Sequence, residues 1–286
     1  MNYRIVSDSS SNVFSIAGAN CTTVPMKVRA EKEYVDTPEL DLMGMVHDLR
    51  HHKGTSGSSC PNVQEWLDAF GDVDMVFGVT ITKNLSGSYN SAQQAAATYM
   101  EENPGKKAYI FDSLSAGPEL MLIVDKIAEL AEQGCDFDTI VSGVLDYHNH
   151  CHTIFCLQSM TNLARNGRVN PAVAKIAGML GIRMVGAAMG GTIVPIHKPR
   201  GEKKAIAAMV EAMNERGLHD GSLVRISHCF GENTAMDFIA AVKEQHPNCR
   251  FILEHTTALC SFYAEVGGMI VGYEGSFNRE NDNSKF

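Results

Sequence analysis

The chain has 286 residues, 44% of them hydrophobic and 20% charged, and its 24 basic against 33 acidic side chains leave a net charge of −9. That is the composition of a folded globular protein and excludes disorder or a fibrous repeat; at ~100–200 residues per domain the length suits two domains. The acidic balance also argues against a general nucleic-acid binder, which needs a surface surplus of Lys and Arg.

Short β-branched runs alternate with longer helical periods, the signature of α/β architecture. Residues 3–7 read as a first strand, ending in the run Ser7-Asp8-Ser9-Ser10-Ser11-Asn12, whose short side chains bond local backbone. Thr37-Pro38-Glu39 is placed to cap and open a helix that carries Leu42, Met45, Val46 and Leu49 on one face. Thr55-Ser56-Gly57-Ser58-Ser59 reads as a turn rich in hydroxyls. Strands are expected at 75–81 and 108–111. Between them lies a helix over 86–101, in which Tyr89, Ala92, Ala96 and Tyr99 share a 3.6-residue face. Helices at 123–131 and 136–147 follow.

Beyond a His/Cys-rich stretch near residue 150 the character shifts. Strand-like runs at 184–188, 193–196, 224–227, 251–253 and 269–273 alternate with helical segments at 203–213 and 234–243. The boundary is placed between an N-terminal α/β domain over 1–150 and a C-terminal α/β domain over 151–286.

Standard nucleotide and hydrolase signatures are missing: no Walker A loop, no G-x-G-x-x-G after a strand and no G-x-S-x-G elbow. His148, His150, Cys151 and His152 with Cys156 form the most metal-like cluster. Adjacent residues at a helix end diverge, however, and no second ligand pair sits at a finger spacing, so the stretch reads as a polar helix end leading into a strand over 153–157 and no metal is expected. The eight cysteines form no C-x-x-C pair and read as reduced thiols. Fifteen methionines suit either a deformable apolar cavity or ordinary packing.

Two hydroxyl-rich loops stand out. One is Thr55 to Ser59; in the other, Leu85-Ser86-Gly87-Ser88-Tyr89, Ser86 and Gly87 fall where a helix begins. Free N–H groups and neutral donors at a helix start can seat a carboxylate or phosphate, although Ser and Thr are also favoured as plain caps.

Charge is unevenly spread. Residues 157–204 hold eight basic side chains and one acidic, a local +7 that leaves −16 for the remainder. Such a segment reads either as a docking surface for an acidic partner or as separate solvated faces. Met1 runs straight into a strand pattern, and no charge-free apolar stretch of ~18 residues occurs. The expectation is a cytoplasmic protein with no membrane span, whose contact with a membrane surface would be transient.

Several of these segments, in order over nearly the whole chain, resemble the DegV family of bacterial lipid-binding proteins. They are Ser7-Asp8-Ser9-Ser10; Thr55-Ser56-Gly57-Ser58, similar to T-S-Q-P-S; and Leu85-Ser86-Gly87-Ser88-Tyr89, similar to L-S-G-T-Y. Asp112-Ser113 with Ser115 and Gly117 comes next, then Leu163-Ala164-Arg165-Asn166-Gly167-Arg168, close to L-x-x-G-G-R. The last is Arg200-Gly201-Glu202-Lys203-Lys204-Ala205.

The resemblance implies a two-domain α/β fold, with a largely parallel sheet in an N-terminal α/β/α sandwich and a ligand between the domains. It implies a non-enzymatic protein without cofactor that binds a long-chain fatty acid, and in kinase-linked members presents the carboxyl to a fatty acid kinase for acyl phosphate formation. By matching position, Thr55 or Ser56 and Ser86 with Gly87 would hold the carboxylate. Tyr263 stands where many members have a histidine, a phenol that donates one hydrogen bond but does not become a cation near neutral pH. Arg165, Arg168, Arg200, Lys203 and Lys204 would form the basic face at the portal. At ~0.8 kcal/mol per buried CH₂, about 14 methylenes contribute about 11 kcal/mol before ordering costs; the tail would supply affinity and the hydroxyls position.

Two other readings stay open at this stage. One is an enzyme acting on a small carboxylate or phosphate, with Ser86 as nucleophile assisted by Asp8, Asp112 or His255. The other is a ligand-free interaction module that uses the basic segment.

Overall fold

A computed structural model of the chain describes residues 2–16, 18–177 and 179–279. Strands β1 (Tyr3–Asp8), β2 (Cys21–Val24), β6 (Met75–Thr80) and β7 (Lys107–Asp112) form a parallel sheet in the order β2-β1-β6-β7. Side chains alternate across it, as a period of two requires. Val6, Val76 and Ile110 face α2 (Val63–Phe70) and α3 (Ser88–Glu102), against Trp66, Phe70, Ala92 and Ala96. Ile5, Phe77 and Phe111 face the other way, onto Ile123, Val124 and Ile127 of α4 (Pro118–Glu132) and Ile140 and Val144 of α5 (Phe137–His148). Helices on both faces explain why these strands are apolar throughout.

A second sheet draws on residues 151–274. It contains β8 (Cys151–Leu157), β9 (Met184–Met189), β10 (Thr192–His197), β11 (Leu223–His228), β12 (Arg250–His255) and β13 (Met269–Glu274), in the order β10-β9-β8-β13-β11-β12. Only β11 and β12 pair in parallel. One face carries α8 (Glu202–Glu215) and α9 (Glu232–Gln245), packed on Ile154, Val224, Ile226 and Val271. The other face meets α4, which therefore lies between the two sheets. Ten residues of α4 are buried, Pro118 and Glu119 of its first turn among them. The approach is so close that a Cβ on Gly272 would stand 2.6 Å from the Glu119 backbone nitrogen; only glycine fits there. Arg225 of β11 spans the same seam, paired with Asp125 of α4 and, at 3.2 Å, with Glu254.

A third, small antiparallel sheet has the order β4-β3-β5, from β3 (Lys27–Arg29), β4 (Glu33–Val35) and β5 (Gly57–Ser59). It packs with α1 (Leu42–His51) against α10 (Ala258–Ala264) through Val28, Tyr34, Met45 and Phe262. Two short helices, α6 (Thr161–Arg165) and α7 (Pro171–Ala177), follow β8. All eight cysteines are free thiols.

The structure corrects the sequence reading at two points. Pro38 does not open α1: Asp41 caps it, accepting from Gly44 N at 2.9 Å, and the helix starts at Leu42. The hydroxyl-rich stretch at 55–59 is not a free turn, because its last three residues form β5, with Ser58 opposite Val28.

Candidate functional site

The three sheets meet around a chamber of about 290 Å³, near the lower end of small-molecule pockets at roughly 300–1,000 Å³. Most of its wall is apolar: Ile81 and Leu114 from loops after β6 and β7, Phe155 and Leu157 from β8, Ile193 from β10 and Ile270 from β13. Of the methionines, Met26 lines it.

One end is polar. Ser58 Oγ and the Tyr263 hydroxyl share a hydrogen bond of 2.8 Å. The Arg168 guanidinium lies 5.8 Å from the Tyr263 ring centroid, held by its Nε donating to the Leu85 carbonyl at 3.3 Å and by a bond to the Asn166 carbonyl. Ser86 Oγ accepts from Ser88 N at 3.3 Å, which leaves its own O–H to donate. Ser59 Oγ is buried with no hydrogen-bond partner among the described residues. Gly87, at the start of α3, abuts Cys60, whose Sγ would lie 3.3 Å from a Cβ there, and as the cap residue it offers no side-chain acceptor. Hydroxyls, the N-terminus of α3 and one cation thus converge at one end of an apolar chamber, which fits an amphiphile with an anionic head.

Two buried carboxylates hold this end in place. Asp8, at the end of β1, accepts from Ile81 N at 3.0 Å, Ser88 Oγ at 2.7 Å, Ser10 N at 3.2 Å and Ser10 Oγ at 2.5 Å. It ties the 81–87 loop and the start of α3 to the strand. Asp36, just after β4, accepts from Ser9 Oγ, Thr257 Oγ1, Ala258 N and Leu259 N, and so caps α10, which carries Tyr263. Burial raises both carboxyls above the usual range, while these donors act in the opposite sense.

Of the residues expected from sequence to meet a carboxylate, Ser86, Gly87 and Tyr263 line the chamber together. Thr55 and Ser56 do not; they precede β5, and the strand's pairing with β3 carries Ser58, Ser59 and Cys60 to the wall instead. Arg168 was expected at a docking face, yet it lines the chamber as well. Arg165, Arg200, Lys203 and Lys204 are exposed.

The Ser86 nucleophile reading finds no base at hand. Asp8 is committed as described. Asp112 Oδ1 accepts from the backbone of Lys83 and Leu114, and His255, at the end of β12, lies against His228 with ring centroids 4.4 Å apart. The His/Cys stretch also disperses. His148 reaches the Ser113 carbonyl at 2.8 Å and His152 the Phe277 carbonyl at 3.1 Å, and among the described residues no group of three or more His, Cys, Asp or Glu could hold a metal ion. No helix among them is long and apolar enough to cross a membrane.

The fold and site define an α/β protein with a parallel and a mixed sheet enclosing an apolar chamber with one polar end. A profile of the family described as uncharacterised protein, DegV family, matches residues 2–274, and the chain belongs to the DegV family. A DegV domain-containing protein of Streptococcus gordonii is 38% identical over 280 residues, covering 96% of this chain and 99% of that protein. Two solved structures superpose with a TM-score of 0.93, each covering 96% of this chain and all of the other. One is a DegV family protein from Eubacterium eligens loaded with heptadecanoic acid, 36% identical. The other is the Streptococcus pneumoniae Fatty Acid Kinase (Fak) B3 protein loaded with linoleic acid, 33% identical.

Proposed function

We propose that this chain binds one long-chain fatty acid in the chamber, with residues 1–150 and 151–286 as the two domains that clasp it, and that it is the non-catalytic, acyl-presenting partner of a fatty acid kinase. The observation that carries the reading is the chamber itself, an apolar wall ending in Ser58, Ser59, Ser86, Arg168 and Tyr263. The likeness to two proteins loaded with fatty acids supports it.

In this reading the tail lies along Phe155, Leu157 and Ile270 and supplies the affinity. The carboxylate takes hydrogen bonds from Ser59, Ser86 and Tyr263, which a desolvated anion requires. Neutral donors on the carboxylate leave its oxygen able to attack a phosphoryl donor. Arg165, Arg200, Lys203 and Lys204, all exposed, with Arg168 at the chamber end, are the cationic face for an acidic kinase surface.

Native mass spectrometry of the purified protein tests the first part: an added mass matching one fatty acid per chain supports it, and a ligand-free protein that ignores added hexadecanoic or octadecenoic acid overturns it. The second part is tested by reversing Arg200 and Lys203 to Glu, which should slow kinase-dependent phosphorylation of the bound acid while leaving the acid bound. Unchanged phosphorylation would remove the docking assignment.

A further inference from the structure

Deep in the chamber the wall is polar a second time. Thr153, Phe155 and Leu157 all line it from one face of β8. Leu157 packs with Leu163 and Tyr263 near the polar end, and Thr153 lies four residues earlier, about 13 Å further in at ~3.3 Å per residue. There Thr153 Oγ1 donates to Glu119 Oε2 at 2.7 Å, and Ser115 Oγ, also on the wall, donates to Thr153 Oγ1 at 2.7 Å. Glu119 is fully buried. Burial alone would raise its carboxyl, but Arg279, His148 and Thr153 outweigh this and hold it well below the usual carboxylate range.

An ionised carboxylate only accepts hydrogen bonds. That fixes the order of protons along the chain: Thr153 must give its proton to Glu119, so it can only accept from Ser115, whose own proton is thereby committed. Ser115 Oγ keeps its lone pairs, and among the described residues no donor reaches them. The wall therefore presents an acceptor, and not a donor, to whatever part of the ligand lies beside it.

We propose that Ser115 and Thr153 form a subsite for a hydroxyl group carried in mid-chain, so that hydroxylated long-chain fatty acids are ligands of this protein. The inference rests on the fatty-acid reading of the chamber. At ~1.3 Å per methylene, from a carbon–carbon bond of about 1.5 Å, the spot falls near the tenth carbon of an acyl chain. A hydroxyl anywhere else along an apolar wall is buried without a partner, which weakens binding; here its proton meets Ser115 Oγ. An oxo group at the same carbon brings a second acceptor and gains nothing.

The test compares octadecanoic acid with its 2-hydroxy, 10-hydroxy, 12-hydroxy and 10-oxo derivatives in equilibrium binding to the full chain. A 10- or 12-hydroxy acid is expected to bind at least as tightly as the parent and about three- to tenfold more tightly than the 10-oxo acid. Ser115→Ala and Thr153→Val should each collapse that hydroxy-to-oxo ratio towards one, a readout that general loosening of the wall does not move. Octadecanoic acid bound well, with hydroxy and oxo acids equally weakened, overturns the subsite and leaves the fatty-acid reading intact. Failure of octadecanoic acid itself to bind overturns both.

Discussion

Removing Asp36 should cost the protein stability and ligand affinity together, because one buried carboxylate holds the helix that carries Tyr263. Asp36 is 1% exposed and accepts at 2.8 Å from both Ser9 Oγ and Ala258 N, at 3.0 Å from Thr257 Oγ1 and at 3.2 Å from Leu259 N. In Asp36→Ala the Thr257 hydroxyl can re-pair, since the Ser9 carbonyl at 3.1 Å and Asn12 Oδ1 at 3.3 Å already lie in reach. The Ser9 hydroxyl and the two amides of α10 have no second acceptor among the described residues. At ~1–3 kcal/mol for each buried donor left without an acceptor, the three cost about 3–9 kcal/mol. Burial already penalises the ionised carboxylate, so the low end of that range applies, about 3–4 kcal/mol. Urea unfolding followed by Trp66, the single and fully buried tryptophan, measures the loss as a lower midpoint at constant slope. A shift below about 1 kcal/mol, with unchanged fatty-acid affinity, would refute the role given to this cap.

Tyr263→Phe deletes the hydroxyl bonded to Ser58 and should weaken fatty-acid binding about three- to tenfold in a fluorescent-probe displacement assay; unchanged affinity would place the head elsewhere. Burial lowers His152 to about 4. His152 therefore binds fewer protons in the folded than in the unfolded chain below about pH 6.5, and its contribution to stability falls as pH drops through that window, by roughly 3 kcal/mol at pH 4. His152→Asn should flatten this slope in urea titrations across the same range. In Gly272→Ala the added methyl would stand 2.6 Å from Glu119 N and 2.9 Å from the Pro118 carbonyl carbon, all backbone that cannot step aside, so a loss of at least about 1–3 kcal/mol is expected in thermal unfolding.

Helices α3 and α5 of the parallel layer are legible as apolar stripes, and α4 over its second half, where Ile127 and Ala131 share a face. The stripe of Ala92, Ala96 and Tyr99 is the buried face of α3. Helix α2 is absent from the sequence reading, although the capping box between Asn62 and Glu65 before Val63, Trp66 and Phe70 marks it. Helix α10 had none: Ala258, Leu259, Cys260, Ser261, Phe262 and Ala264 are all buried, so no polar face marks a period. The strands of the small sheet are three residues long, too short to show alternation, and hydroxyl-rich β5 has the composition of a turn. Thr55 and Ser56 follow from matching this stretch to T-S-Q-P-S, whereas the pairing of β5 with β3 delivers Ser58 and Ser59 to the wall. Ser86 and Gly87 were found because a helix start constrains sequence locally. Arg168 and the Glu119–Thr153–Ser115 chain depend on long-range packing that no local pattern records.

One long-chain acid should lie in this chamber with its carboxylate at the Ser86 end, and a crystal structure of the protein grown with hexadecanoic acid tests this. Continuous acyl density is expected along Phe155 and Ile270, with carboxylate oxygens in hydrogen-bond reach of Ser86 and of Ser59 or Tyr263. A chamber that stays empty at saturating acid, or a chain bound with its carboxylate beside Thr153, would contradict it.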